Sequence, residues 1–535
     1  MKNVVKIAAI TAALICGFIC QGTSASAASE CPATNNGMRG HVWEQADAQV
    51  ISSRWSGECN EFGNPGNGRV CSVCGEYQNF YSCDDWIYVL RTDGTAEIVR
   101  CDKPELEFNS LVLPEKLDDI PVTAIGDNAF QNCYYLGRVV IPSGITRIGD
   151  FAFAYCNNMK TIEIPDNVVS VGCNPFLASD VKIQLSASRK DLKLIEGSLY
   201  DRQGEHLVYA WKGDSSGACF TVPDGVQEIG DYAFASTGFS SIIFPESVRK
   251  IGNHAFDCCR RLSSIYGLEE ITEIGDFAFY ECEKIGQLRI SESVTHIGIN
   301  PFANTSVQLF LSPYNDSYVT QGNLLFEKET KKLVSCSDTL SGHIIVPDGT
   351  VEIGAYAFMN CGSLIWLDIP KSVNEIGEGA FYGCRSLNNI IVPSGVRTIK
   401  KDTFSMCYVM ESISIPETVT EIGDYAFFNC NRLRYISLPS QLNVLGEGTF
   451  QMCTSLLEIE IPPKIAQIPQ CTFDGCLELA DVTLPAGVTK IAPFAFSYCE
   501  KLNQIALPDS LVEIDEYAFF QCPALENLEF PKTNA

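Results

Sequence analysis

An Ala-Phe pair that recurs at a constant phase, a proline on the same beat, and a cysteine three residues after the Phe together predict a solenoid of short stacked coils. The Phe stands at 130, 153 and 176, then at 234, 256, 279 and 302. It resumes at 358, 381, 404, 427, 450, 473, 496 and 519, with a spacing of 23 that never slips. Prolines keep that spacing from Pro347 and Pro370 through to Pro508 and Pro531. A period of 23 lies in the leucine-rich range. The expected fold is therefore a leucine-rich-repeat solenoid. It is expected as a right-handed β/α superhelix of short parallel strands and short helical turns, with two β-hairpin inserts and a small cysteine-rich N-terminal region.

One unit shows why. In the stretch from Leu433 to Cys453, Leu433, Ile436 and Leu438 form a short strand pattern, and Ile436 and Leu438 alternate inward. Pro439 ends the strand because it cannot donate to a ladder. The Val-x-x-Ile-Gly pattern, as at Val419 to Gly423, turns the chain and predicts a second short strand. An acid then precedes Ala-Phe: Asp127, Asp150, Asp231, Asp276, Glu378, Asp424, Glu447 and Glu516. These acids are expected to cap a helical turn. A single coil cannot offset its own ordering entropy, whereas stacked coils share one continuous core. Replacing a buried Phe such as Phe427 by Ala is expected to cost roughly 3–5 kcal/mol.

Cysteine falls three residues after the Phe at 133, 156, 259, 282, 361, 384, 407, 430, 453, 476, 499 and 522. Holding one phase, these side chains are expected to stack inward as a buried thiol ladder, acting as small apolar residues and not as bridges. Ser179, Thr237 and Thr305 take the same slot in other coils, as a small-residue position allows.

Residues 1–27 read as an export signal: Lys2 and Lys6, an apolar run from Ile7 to Cys20, then Ala25-Ser26-Ala27 for cleavage. Residues 28–82 form a cysteine-rich module, 83–120 a β-hairpin lead-in and cap, and 121–535 the repeat domain. Two inserts interrupt the array at about 178–218 and 304–342. The stretch Gly197 to Trp211 matches Gly322 to Cys336, and each is expected to be a β-hairpin with a polar turn. No later segment is long and apolar enough to span a membrane.

Six cysteines crowd the front. Cys83 and Cys101 flank a hairpin expected over Trp86 to Val99, with its turn at Thr92 to Thr95, and are candidates for a disulfide. Cys71-x-x-Cys74 has zinc-knuckle spacing, and Cys31, His41 or Cys59 would complete a tetrahedral site. An oxidising exterior favours bridges among the same residues, and both readings stay open.

A net charge of −27 argues against nucleic acid and anionic membranes as partners. Only five histidines occur (His41, His206, His254, His296 and His343), at unrelated repeat phases. Neither a nucleophile elbow nor a phosphate loop nor a His-Glu-x-x-His helix appears. The sequence thus predicts no enzyme and no cofactor. A solenoid offers an extended concave surface instead. Its solvent-facing positions flank the central Ile of the strand and include the pairs Trp366/Asp368, Asn389/Ile391, Tyr435/Ser437, Glu458/Glu460 and Asp481/Thr483. Trp366, Tyr435 and Tyr266 are candidate aromatic anchors. Glu458, Glu460 and Asp481 form an acidic cluster that suits a basic ligand.

The units resemble the repeat of BspA-like bacterial surface proteins. The pattern Leu-x-x-Ile-x-Ile-Pro-x-x-Val-x-x-Ile-Gly-x-x-Ala-Phe-x-x-Cys is nearly spelled out from Met410 to Cys430, and the match runs from about Asp84 to the end. The segments Trp86 to Ile98 and Ile120 to Gly126 also look like this family. The resemblance implies a secreted or surface-exposed protein that binds an extracellular protein or a cell-surface ligand. Two other functions compete with adhesion. One is a structural, self-associating envelope protein that stacks through its last coil, Leu525 to Phe530. The other is an exported enzyme with an unrecognised site.

Overall fold

A computed structural model describes residues 43–45, 68–71, 77–101, 110–186, 189, 192–211, 218–337, 339–525 and 528. The chain divides into two compact units, Met1–Pro104 with Pro114–Gly126, and Glu105–Leu113 with Asp127–Ala535.

In the first unit, Trp43–Gln45, Gly68–Cys71 and Tyr77–Asn79 pair antiparallel. Tyr81–Cys83, Trp86–Leu90 and Ala96–Cys101 form a meander, and Ile120–Ile125 joins its last strand in parallel. The hairpin turn falls where Asp93-Gly94 places it. Gly94 is left-handed at φ 80°, and the Asp93 carboxylate accepts from the Thr95 amide at 3.0 Å. The disulfide expected between Cys83 and Cys101 is contradicted by this register. Both residues lie opposite Trp86, one on each side of its strand. Two strand spacings separate them by about 9–10 Å, beyond the roughly 7 Å that a bridge spans.

The second unit is the solenoid. Each regular coil contributes two short strands to two parallel ladders. Ser412–Ile413 pairs with Tyr435–Ile436 in one, and Glu421–Ile422 with Val444–Leu445 in the other. Inward residues such as Leu433, Ile436, Leu442 and Leu445 are buried. The repeated Phe rings stack through the centre. From Phe358 to Phe519 successive rings lie 5.2–5.6 Å apart and within 17° of parallel.

The third side of each coil corrects the sequence reading. The expected helical turns, and with them the β/α superhelix, do not form: no helix occurs among the described residues. Two residues per coil break any helix by being left-handed, Tyr425 at φ 54° and Asn429 at φ 60° in one coil. Their amides, with that of Phe427, leave the coil altogether. Tyr425, Phe427 and Asn429 donate to Glu447, Thr449 and Gln451 of the next coil at 2.8–2.9 Å. Short turns fill the gaps, as where the Phe428 amide donates to the Tyr425 carbonyl at 3.0 Å and that of Cys430 to Phe427 at 3.2 Å. A helix would need these amides for bonds four residues back, and the neighbouring coil takes them first.

The acids before Ala-Phe are therefore not helix caps. Asp127, Asp150 and Asp424 accept, through Oδ1, the backbone amide of the equivalent position one coil on (Asp150, Cys173 and Glu447) at 2.8–2.9 Å. The glycine before most of these acids follows from that closeness. A methyl added at Gly446 would lie 2.3 Å from the Asp424 nitrogen and 2.6 Å from its Oδ1.

The two inserts continue the second ladder. Leu192–Ile195, Ser198–Asp201 and His206–Tyr209 form an antiparallel meander whose last strand pairs in parallel with Glu228–Ile229. Tyr318–Gln321, Leu324–Glu327 and Lys332–Cys336 repeat the arrangement against Glu352–Ile353. The Asn-Pro-Phe triplets before the inserts have a physical role. The buried Asn174 amide group donates to the Tyr232 carbonyl, and that of Asn300 to Tyr356, each at 2.6 Å. Each Asn side chain thus spans an insert, where ordinary coils use a backbone amide.

Two stability changes are expected. Gly446→Ala should lower the unfolding free energy by about 1–3 kcal/mol, read by urea denaturation, because the Asp424 backbone cannot recede without breaking its ladder. Asp402 sits at a left-handed turn position, where burial raises its carboxyl to about 6, with nearby Glu378 adding to the rise and Lys401 opposing it. A folded pKa above the unfolded one means the charged form weakens the fold above about pH 6. Asp402→Asn should stabilise the protein at neutral pH by about 1–3 kcal/mol. The gain should fade as pH falls to the ordinary carboxyl value of 3.8, a trend read from melts across that range.

Candidate interaction site

The backbone ladders and the inward side chains consume most of what each coil offers. What remains free to vary is the outward pair on the first strand. Five successive strands build one such face. Ser341–Ile345 pairs with Ser363–Asp368 so that His343 faces Trp366 and Ile345 faces Asp368. Trp366 in turn faces Asn389, and Ile391 bridges to Ser414. One row therefore reads His343, Trp366, Asn389, Ser412, Tyr435, and the other Ile345, Asp368, Ile391, Ser414.

This face carries an apolar patch with a polar hinge. Ile345, Ile391 and Trp366 are 66%, 63% and 39% exposed. The Trp366 indole nitrogen donates to Asp368 Oδ1 at 2.8 Å, and His343 Nε2 meets Asp368 Oδ2 at 2.8 Å. The His343 and Trp366 rings stand edge to face with centroids 6.1 Å apart. Asp368 thus fixes the rotamer of a large exposed aromatic ring. The Trp366 hydrogen bond, and after it His343, hold the Asp368 carboxyl below the usual carboxylate range.

Of the aromatic candidates, Trp366 and Tyr435 share a row, three coils or about 14 Å apart. Tyr266 does not join them. It faces Ile243 on an earlier sheet, before the second insert. The acidic candidates lie further along the Trp366 rows. Glu458 stands opposite Asp481, and Glu460 opposite Thr483. His343 and Ile345 were missed in the sequence because the insert hides the beat. Counting one period of 23 back from Trp366 and Asp368 lands on them.

Most ladder cysteines are buried, with thiols that point at carbonyls. Cys430 donates to Phe404 at 3.2 Å and Cys453 to Phe427 at 3.1 Å. Burial pushes Cys430 up to about 12, so little thiolate exists near neutral pH. Ser179 makes the same bond to Phe153 at 3.0 Å. Of the zinc or disulfide candidates, Cys31, His41, Cys59 and Cys74 lie outside the described residues, and only the backbone of Cys71 is described.

The family model for the BspA type leucine-rich repeat region matches residues 107–201, 208–331, 351–480 and 466–535. The chain belongs to the BspA type leucine-rich repeat family. Among solved structures it is similar to a leucine-rich cell surface protein of Faecalibacterium prausnitzii. That match has 24% identity, covers 76% of this chain and 94% of that one, and has a TM-score of 0.39. A leucine-rich repeat protein of Eubacterium ventriosum matches at 20% identity over 85% and 97% of the two chains, with a TM-score of 0.42. The pneumococcal vaccine antigen PcpA matches at 16% identity over 82% and 94%, with a TM-score of 0.38. No curated protein matches the chain. No helix among the described residues is long and apolar enough to cross a membrane.

The hydrogen-bonded state of the patch should depend on pH. In an NMR titration the Trp366 indole proton should keep its bonded shift to below the ordinary carboxylate value of 3.8, moving only as Asp368 takes up a proton. In His343→Ala the same transition should move to higher pH. An unchanged midpoint would show that the imidazole does not support the carboxylate.

Proposed function

We propose that this chain is exported, displayed outside the cell, and used for recognition of an extracellular protein through its outward strand face. The observation that carries this reading is the exposure of Trp366, Ile345 and Ile391 side by side on adjacent strands. The repeat demands nothing apolar at these positions, as Ser414 and Ser437 in later coils show. An exposed aromatic ring flanked by aliphatic side chains is the usual anchor of a protein interface.

The acidic end supports a partner of defined chemistry. Glu458 and Asp481 stand directly opposite each other in register, an arrangement of like charges that costs stability unless a cation relieves it. They lie four or more coils from Trp366, about 19 Å or further along the face. The reading is a protein partner that seats an apolar residue on the Trp366 patch and lays a basic segment over Glu458, Glu460 and Asp481. A net charge of −27 favours approach of such a partner. Tyr435 lies between the two ends as a further contact. Adhesion to a host matrix or to another cell is the biological setting that fits.

Surface plasmon resonance of residues 28–535 against extracellular matrix proteins and cell-surface extracts tests this. Trp366→Ala with Ile391→Ser should weaken capture roughly tenfold to a hundredfold with an unchanged circular dichroism spectrum. Glu458→Gln with Asp481→Asn should mainly slow association and flatten its salt dependence. Binding that ignores both pairs of changes would sink the proposal.

A further inference from the structure

Two thiols from different parts of the repeat meet in the core of the second unit. Cys336 ends the strand Lys332–Cys336 of the second insert, and Cys361 fills the cysteine slot of the coil that follows. Their Sγ atoms are 3.0 Å apart, and both residues are buried.

This contact differs from the rest of the ladder. Cys384, Cys407, Cys430 and Cys453 each donate to the Phe carbonyl of the coil before, at 3.1–3.4 Å. Cys361 comes directly after the insert, where the position one period before Phe358 is Ser335 and not a Phe. Its sulfur faces Cys336.

The first insert supplies an internal comparison. The registers Leu199↔Tyr209 and Tyr200↔Leu207 correspond to Leu325↔Ser335 and Phe326↔Leu333. Cys336 therefore matches Ala210, and Cys361 matches Thr237, each three residues after its Phe. The two modules differ at both positions together, with Ala and Thr in one and Cys and Cys in the other. Cysteine is the ordinary residue of the Cys361 slot, so Cys336 is the added member of the pair, and it lies where the second thiol can reach it.

We propose that Cys336 and Cys361 become a disulfide when the chain folds in an oxidising exterior, an inference that rests on the export proposed above. The two thiols lose two protons and two electrons as the Sγ–Sγ bond forms. An external disulfide, protein-borne or of low molecular weight, takes both and leaves as two thiols. The bond closes a loop between residues 25 apart in sequence and restricts the unfolded chain. It also braces the binding face. The strands Ser341–Ile345 and Ser363–Asp368, which carry His343, Ile345, Trp366 and Asp368, begin shortly after the two cysteines. The staple ties the insert to the first coil after it, from which the strand of Trp366 continues.

The test is to refold the reduced full chain in a glutathione redox buffer. Acid quenching, alkylation under denaturing, non-reducing conditions, and peptide mapping by mass spectrometry then follow. A Cys336–Cys361 cross-link is expected, with Cys384 through Cys499 alkylated. Alkylation of both residues, or either one bonded elsewhere, overturns the proposal. Cys336→Ala with Cys361→Thr reproduces the pair of the first module and should fold. Reductant should lower the melting midpoint of the parent further than that of this variant, and an equal response overturns the proposal. Export is read separately, from protease accessibility at the cell surface or presence in the culture fluid. A missing bond in an exported chain refutes the cross-link alone, and a bond that forms on refolding of a chain retained inside refutes export alone.

Discussion

The structure depends on backbone amides that bond from one coil to the next. In the coil around Phe427, three alternate residues send their amides to carbonyls of the next coil, while the strands on the other two sides do the same in parallel ladders. Every backbone polar group buried by stacking must find such a partner. Equivalent residues are thereby forced to lie one above another. From this constraint follow the stacked Phe rings, the Gly that lets the preceding Asp approach, and the small side chain three residues after the Phe. A left-handed residue is unfavourable alone. Here it aims an amide at the neighbouring coil, so the conformation is held by a bond that a free coil does not have.

The same constraint explains why the cysteines are chemically quiet and yet specific. A thiol is small enough for the slot and donates a weak hydrogen bond to the Phe carbonyl beside it. Serine makes that bond at Ser179. Desolvation keeps ladder thiols such as Cys430, Cys453 and Cys476 protonated, so the exterior does not readily turn them into reactive groups. At the second insert the regular acceptor is replaced by another sulfur, and there the chemistry changes. The two Asn side chains show the complementary solution, in which an amide group reaches across an insert to a carbonyl 56 or 58 residues on.

The proposed recognition lies where the constraint is silent. The outward positions of the first strand make no ladder bond with their side chains, and they vary from Trp366 to Ser412 to Glu458 along one row. Outward side chains can change without changing the fold, because they are separate from the atoms that stack.

The sequence by itself determined the period, the two strands of each coil, the inward Phe and Cys, the hairpin inserts and the family, because each is a local pattern repeated many times. It also placed Trp366 and Tyr435 on one face, since a fixed period carries a face from coil to coil. Three features were decided only by the tertiary structure. The third side became turns and not helix, because inter-coil bonds outbid the local propensity that Asp and Ala-Phe suggested. Cys83 and Cys101 were kept apart by the strand of Trp86, which sequence distance does not reveal. Finally, His343 and Ile345 joined Trp366, and Cys336 met Cys361, because a strand from an insert of different length returned to the register of the array, and only stacking fixes where such a strand lands.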